Sequence, residues 1–102
     1  MTEIIIGTTP TITYTFKVVS PADLTKVILT IKCAGRVILE KTLADAVVGE
    51  NSLSWILTQQ ETLALGTRTA KMMLNWLTNS GTRGASAETA IIGVTNHKRE
   101  VI

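Results

Sequence analysis

The chain has 102 residues, of which 45% are hydrophobic and only 18% are charged, and its formal net charge is +2. This length predicts a single domain over residues 1–102, and the apolar content excludes an intrinsically disordered chain. One cysteine excludes a disulfide-stapled fold, no apolar run approaches the roughly 20 residues of a membrane helix, and the first residues lack the pattern of a signal peptide.

Residues branched at the β-carbon dominate the composition, with 17 Thr, 11 Ile and 8 Val. Such side chains lose rotamer freedom in helices and pack well on pleated sheets. The clearest two-residue alternation covers residues 11–18 and predicts a strand with Thr11, Thr13 and Thr15 on one face. The apolar residues of the other face are Ile12, Tyr14, Phe16 and Val18.

Further strands follow at short, regular spacing. They are predicted over residues 26–33, 37–42, 43–48, 52–58, 68–78, 83–86 and 87–95. Helix competes at one place, where Thr58 and Glu61 have the spacing of a capping box and predict one short helical turn near residues 59–64. Some apolar side chains fall outside the predicted inward faces and would need a cover of their own. These are Ile28, Ile38, Ile56, Met73 and Ile91.

This pattern predicts an all-β fold, an immunoglobulin-like antiparallel β-sandwich of about seven strands. The disulfide that joins the two sheets of antibody domains cannot form, because Cys33 is the one cysteine. Apolar packing must therefore hold the sheets together, and Cys33 is expected to be a buried free thiol.

The inventory of reactive side chains is small. A metal site needs three or four converging ligands, and the chain has one His and one Cys, His97 and Cys33. No nucleophile-elbow motif or phosphate-binding loop is present. We predict no catalytic, cofactor-binding or metal-ligating residue. We therefore predict that the protein is not an enzyme. Basic residues are scattered, with Lys98 and Arg99 the adjacent pair, so we also expect no nucleic-acid partner.

Two tryptophans allow two interpretations. Trp55 and Trp76 alternate with aliphatic residues as core side chains do, but aromatic rings can also line a sugar site. The threonine face of residues 11–15 suits either a solvated strand or a contact with another subunit. The candidate interaction residues are Thr11, Thr13, Thr15, Ser80, Thr82, Arg83, Lys98 and Arg99.

A family resemblance rests on the order of several segments along the chain. These are residues 7–11 (GTTPT), Phe16 in the first long strand, 21–25 (PADLT), the strand 26–33, the Gly35 turn, 57–63 (LTQQETL) and 80–86 (SGTRGAS). Their order resembles small proteins encoded among the tail and structural genes of phages and prophages of Gram-positive bacteria. The layout is similar to the N-terminal immunoglobulin-like module of phage baseplate upper proteins.

The resemblance implies a virion structural protein of the tail or baseplate, located in the particle, whose partners are other virion proteins or further copies of itself in a homo-oligomer. A capsid decoration or head-fibre protein is one alternative, and a carbohydrate-binding or adhesion module is another. No membrane partner is expected.

Overall fold

Two sheets and one helix make up the computed structural model, which describes residues 2–102. The strands of the described chain are β1 (Thr2–Ile5), β2 (Thr11–Thr15), β3 (Leu24–Cys33), β4 (Arg36–Thr42), β5 (Val47–Val48), β6 (Ser52–Ile56), β7 (Thr69–Thr78), β8 (Arg83–Ala85) and β9 (Thr89–Val94). The helix α1 covers Gln59–Leu65, between β6 and β7. The predicted all-β, sandwich-like class is confirmed, with nine strands in residues 2–102 where about seven were expected.

The larger sheet has the strand order β1-β9-β7-β3-β4, and β8 pairs with the far end of β7. The smaller sheet has the order β2-β6-β5. β1 runs parallel to β9, whereas every other pair is antiparallel. Side chains from both sheets fill the space between them, and the most deeply buried include Leu29, Leu53, Trp55, Leu74 and Ile91.

Local sequence explains the tightest connections. Ala34 and Gly35 both have positive φ, 52° and 78°, as a two-residue hairpin turn between β3 and β4 requires. At α1, the Thr58 hydroxyl accepts a hydrogen bond from the Glu61 N–H at 3.1 Å, and the Glu61 carboxylate accepts one from the Thr58 N–H at 2.8 Å. The predicted helical turn and its capping box are therefore confirmed.

Several sequence-based expectations need correction. β2 ends at Thr15, so Val18 is 96% exposed and does not belong to the inward face. Ile91 was expected outside the core, but the register places it opposite the inward-facing Ala70, and it is 1% exposed.

Two further differences concern whole elements. The segment 43–48 is not one strand: a 3-10 turn occupies Leu43–Asp45, and Val47–Val48 alone pairs with β6. The Asp45 carboxylate accepts a hydrogen bond from the Thr42 N–H at 3.0 Å, which favours the turn over an extended chain. No strand was predicted over Thr2–Ile5, where β1 forms.

Candidate functional site

The three threonines of β2 point away from the core, as their alternation predicts. Thr11, Thr13 and Thr15 are exposed, whereas Ile12 between them is 9% exposed and Tyr14 is half-buried. The register places Thr13 directly opposite Ser54 of β6, and their hydroxyls are 3.0 Å apart. The threonines therefore belong to the outer surface of the smaller sheet, and Thr13 contacts its central strand, β6.

Neighbouring strands extend this surface without adding charge. We call its outward side chains the Thr/Ser face: Thr11, Thr13, Thr15, Val47, Ser52, Ser54 and Ile56. All seven side chains are uncharged, and the two largest apolar ones are more than half exposed, Val47 at 63% and Ile56 at 58%. The larger sheet differs, because its strands expose Lys26, Lys32, Glu40 and Lys71.

The backbone of β2 is open on one side. In the described chain, β6 is the one sheet neighbour of β2. The Leu57 N–H donates to the Pro10 carbonyl at 2.9 Å, and the Phe16 N–H donates to the Asn51 carbonyl at 2.7 Å. Backbone hydrogen-bonding direction alternates along an antiparallel strand. The even-numbered residues between these bonds therefore direct their N–H and C=O groups to β6, and the odd-numbered residues direct theirs away from β6. We call the outward backbone groups the β2 edge; they belong to Thr11, Thr13 and Thr15.

A cleft of about 420 Å³ lies beneath the β2 edge, between the two sheets. Its apolar lining includes Ile4, Ile12, Tyr14, Met72 and Ile91. Burial raises the pKa of Tyr14, and the nearby Ser86 hydroxyl lowers it in part. No hydrogen bond of acceptable geometry reaches the buried Tyr14 hydroxyl from the described residues. The sandwich thus presents apolar side chains directly below an open strand.

The other predicted interaction residues lie elsewhere. Ser80 and Thr82 belong to the turn between β7 and β8, where the Thr78 hydroxyl contacts both the Ser80 hydroxyl and the Thr82 N–H. Arg83 begins β8, and its guanidinium donates to the Asn75 amide oxygen at 3.4 Å. This turn occupies one end of the sandwich.

Lys98 and Arg99 lie in the chain that follows β9. The Lys98 ammonium pairs with Glu100 at 3.2 Å on the protein surface, and Arg99 is exposed. The same segment reaches α1, where the Gln59 side chain forms two hydrogen bonds of 2.7 Å with the Ile102 backbone. α1 precedes β7 and the Ser80 turn follows it, so the ten residues of β7 separate the two groups by roughly 30 Å. The structure does not assemble the three predicted groups into one site.

The tryptophans occupy different environments. Trp55 is 0% exposed, and its indole N–H donates to the Thr42 carbonyl at 3.0 Å, so it is a core residue. Trp76 is half-buried and packs edge-to-face on Phe16 with ring centroids 5.3 Å apart. It also lines a cleft of about 380 Å³ that includes Asn75 and Arg83.

The two carboxylates with shifted pKa values, Asp45 and Glu61, have structural partners. Hydrogen bonding to the Thr42 N–H lowers the pKa of Asp45. Burial alone would raise the pKa of Glu61, but the Lys41 ammonium at 2.8 Å and the Thr58 N–H outweigh burial and lower it. Both carboxylates therefore cap short helical segments, Asp45 at the 3-10 turn and Glu61 at α1.

The remaining reactive groups do not cluster. Cys33 is buried and its thiol lies 3.5 Å from the Thr69 carbonyl oxygen. Across residues 2–102, His, Cys, Asp and Glu side chains nowhere gather in a group of three that could hold a metal ion. No helix in the same range has the length and apolar character needed to cross a membrane.

Sequence reasoning named the three threonines of the Thr/Ser face as interaction residues and placed Ile56 off the inward faces, but it did not name Val47, Ser52 or Ser54. Ser52 and Ser54 alternate with the inward residues Leu53 and Trp55, so their outward position could have been predicted from the same periodicity. The exposed edge of β2 could not, because alternation does not reveal which strand lacks a neighbour. Comparison with known protein families, curated proteins and solved structures finds no match to this chain.

Proposed function

We propose that the chain is a non-enzymatic structural module of a phage particle, in the tail or baseplate, and that it acts by packing against other protein chains. One observation carries the proposal that it is an interaction module: the outer side of the smaller sheet combines the uncharged Thr/Ser face with the open β2 edge. Exposed uncharged faces and unpaired strands favour association with other proteins, and free monomers generally protect them with charge.

We further propose that the sandwich is immunoglobulin-like. The order β2-β6-β5 corresponds to strands B-E-D of an immunoglobulin domain, and β9-β7-β3-β4 corresponds to G-F-C-C′. This correspondence supports the resemblance to the N-terminal module of baseplate upper proteins, and the proposed virion role depends on that resemblance. The virion role itself rests on the sequence resemblance.

The test is mass spectrometry of purified particles from a host that carries the gene, with heads and tails separated before digestion. Peptides of this chain in the tail fraction, at a constant ratio to known tail subunits, would support the proposal. Peptides in the head fraction would replace it with the capsid decoration alternative. Particles that lack the chain altogether, from cells that express it, would overturn the virion role.

One observation favours the carbohydrate-binding alternative, namely the cleft beside Trp76 with the polar side chains of Lys26, Asn75 and Arg83. Aromatic rings with adjacent polar groups are typical of sugar sites. Titration with cell-wall glycans, followed by tryptophan fluorescence and compared with Trp76→Ala, distinguishes the two functions. A saturable change that Trp76→Ala abolishes would favour adhesion over assembly.

A further inference from the structure

We propose that the partner of the β2 edge is a second copy of this chain, which pairs antiparallel through its own β2 around a twofold axis at Thr13. The inference deepens the proposed function, because it rests on β2 being an interaction surface, but it is independent of where the protein is located. The pairing joins the two smaller sheets into one sheet of six strands, in the order β5-β6-β2 followed by β2-β6-β5 of the second copy.

The sequence of β2 is nearly symmetric about its centre. Thr11–Thr15 reads Thr-Ile-Thr-Tyr-Thr. In an antiparallel pair centred on Thr13, Thr11 faces Thr15 of the second copy, Thr13 faces Thr13, and Ile12 faces Tyr14. Thr–Thr pairs and aromatic–β-branched pairs are among the favourable cross-strand combinations. The strand therefore complements itself in this register.

Hydrogen-bond parity agrees with the same register. The odd-numbered residues direct their N–H and C=O groups outward, and these are the residues that the twofold axis brings opposite one another. Each such pair exchanges two backbone hydrogen bonds, so three pairs form six. A register shifted by one residue would instead place the free N–H and C=O groups of one β2 opposite residues of the other β2 whose N–H and C=O groups already bond β6.

β2 lacks the features that keep natural edge strands from pairing with other chains. Natural edge strands are guarded by charged side chains, by an internal Pro or by bulges. β2 has none of these between Thr11 and Thr15, and its pairing with β6 has no register shift. The five side chains of β2 carry no charge that would oppose the approach of two copies, and the half-buried Tyr14 ring gains cover from the second copy.

The interface is small, and small interfaces are weak in dilute solution. Copies held close together in any larger assembly, however, reach effective concentrations of about 1 mM, where weak pairing is populated. Sedimentation equilibrium at protein concentrations up to about 1 mM is therefore the appropriate first measurement. We expect a reversible monomer–dimer equilibrium without larger species.

Two variants test the edge. Thr13→Lys places two ammonium groups opposite each other at the axis, and we expect it to weaken dimerisation by about tenfold or more. Ser54→Lys is the matched control, because it adds the same charge to the same face one strand further from the axis, and we expect a smaller effect. Both sites lie on the surface of the sheet, and circular dichroism verifies that each variant folds.

Cysteine substitution tests the register. With residue 13 opposite itself, the two Cα atoms lie about 5.5 Å apart, within disulfide range, and we expect Thr13→Cys to form a covalent dimer under mild oxidation. In the same register Thr11 is offset from its copy by four residues, about 13 Å, so Thr11→Cys should remain monomeric in non-reducing gels.

A wild-type protein that stays monomeric up to about 1 mM would overturn the inference. It would also be overturned by a dimer that Thr13→Lys and Ser54→Lys weaken equally, or by cross-linking through residue 11 in preference to residue 13. Each of these results leaves the virion role open, because that role is decided by mass spectrometry of the particles.

Discussion

Removal of one buried hydroxyl should strongly destabilise the fold. Thr62 on α1 is 0% exposed. Its hydroxyl accepts a hydrogen bond from the Gly7 N–H at 2.9 Å and donates to the Thr8 carbonyl at 2.9 Å. A second carbonyl, that of Gln59, lies 3.1 Å away. The hydroxyl therefore holds the segment between β1 and β2, which crosses from one sheet to the other.

The substitution Thr62→Val keeps the shape of the side chain and removes these hydrogen bonds. Each buried partner left without a hydrogen bond costs about 1–3 kcal/mol. The buried methyl group that replaces the hydroxyl stabilises the folded state by about 0.8 kcal/mol. With two partners affected, the free energy of unfolding should fall by about 1–5 kcal/mol, and the Tm should fall by at least about 5 °C for a domain of this size.

Urea and thermal denaturation, followed by circular dichroism, measure this loss. Thr62→Ser keeps the hydroxyl and should lose about 1 kcal/mol through the missing methyl group. Thr8→Val removes an exposed hydroxyl that bonds the Ile5 carbonyl, and should change stability by less than about 0.5 kcal/mol. If Thr62→Val were as stable as the wild type, the hydrogen bonds assigned to this hydroxyl would not hold the segment.

Three further predictions concern other parts of the fold. Because the pKa of Glu61 is lowered in the folded state, the stability that it contributes with Lys41 is present above its unfolded pKa and is lost as pH falls through the folded value. The stability difference between wild type and Glu61→Gln, measured in urea titrations, should therefore shrink at low pH. A difference that stays constant with pH would contradict this. A Cβ at Gly93 would overlap the Gly66 carbonyl oxygen, so Gly93→Ala should lose about 3 kcal/mol or fail to fold, as soluble yield and urea midpoints report. A variant with Trp55 as its single tryptophan should show blue-shifted emission and little acrylamide quenching until it unfolds, and strong quenching of the native state would refute the buried position.

Periodicity predicted most of the strands because most of them bury one face. The inward set of β3 alternates without interruption, and Val27, Leu29, Ile31 and Cys33 are all buried as predicted. β1 was missed because its sequence, Thr-Glu-Ile-Ile, contains no full alternation. Ile91 was misplaced because both neighbours in β9 are also apolar, so the sequence leaves two phases open and only pairing with β7 selects one.

The candidate site was harder to predict than the fold. Alternation placed Thr13 on an outward face, but a solvated strand and an open edge have the same alternation. What distinguishes them is the absence of a neighbour beside β2, which depends on where β1 pairs. The sequence also marked the Ser80 turn and Lys98 as candidate interaction residues. The fold places these two at opposite ends of β7, because strand direction sets their distance.

The parallel pairing of β1 with β9 has a consequence for biosynthesis. Thr2 pairs with Ile91 and Ile5 with Val94, so each residue of β1 leaves the ribosome 89 residues before its partner in β9. Contacts between residues this distant in the chain slow folding, and unpaired strands are exposed during the delay. β1 and β2 therefore emerge before their sandwich can close, and during translation their apolar side chains and backbone edges are open to contact with other nascent chains.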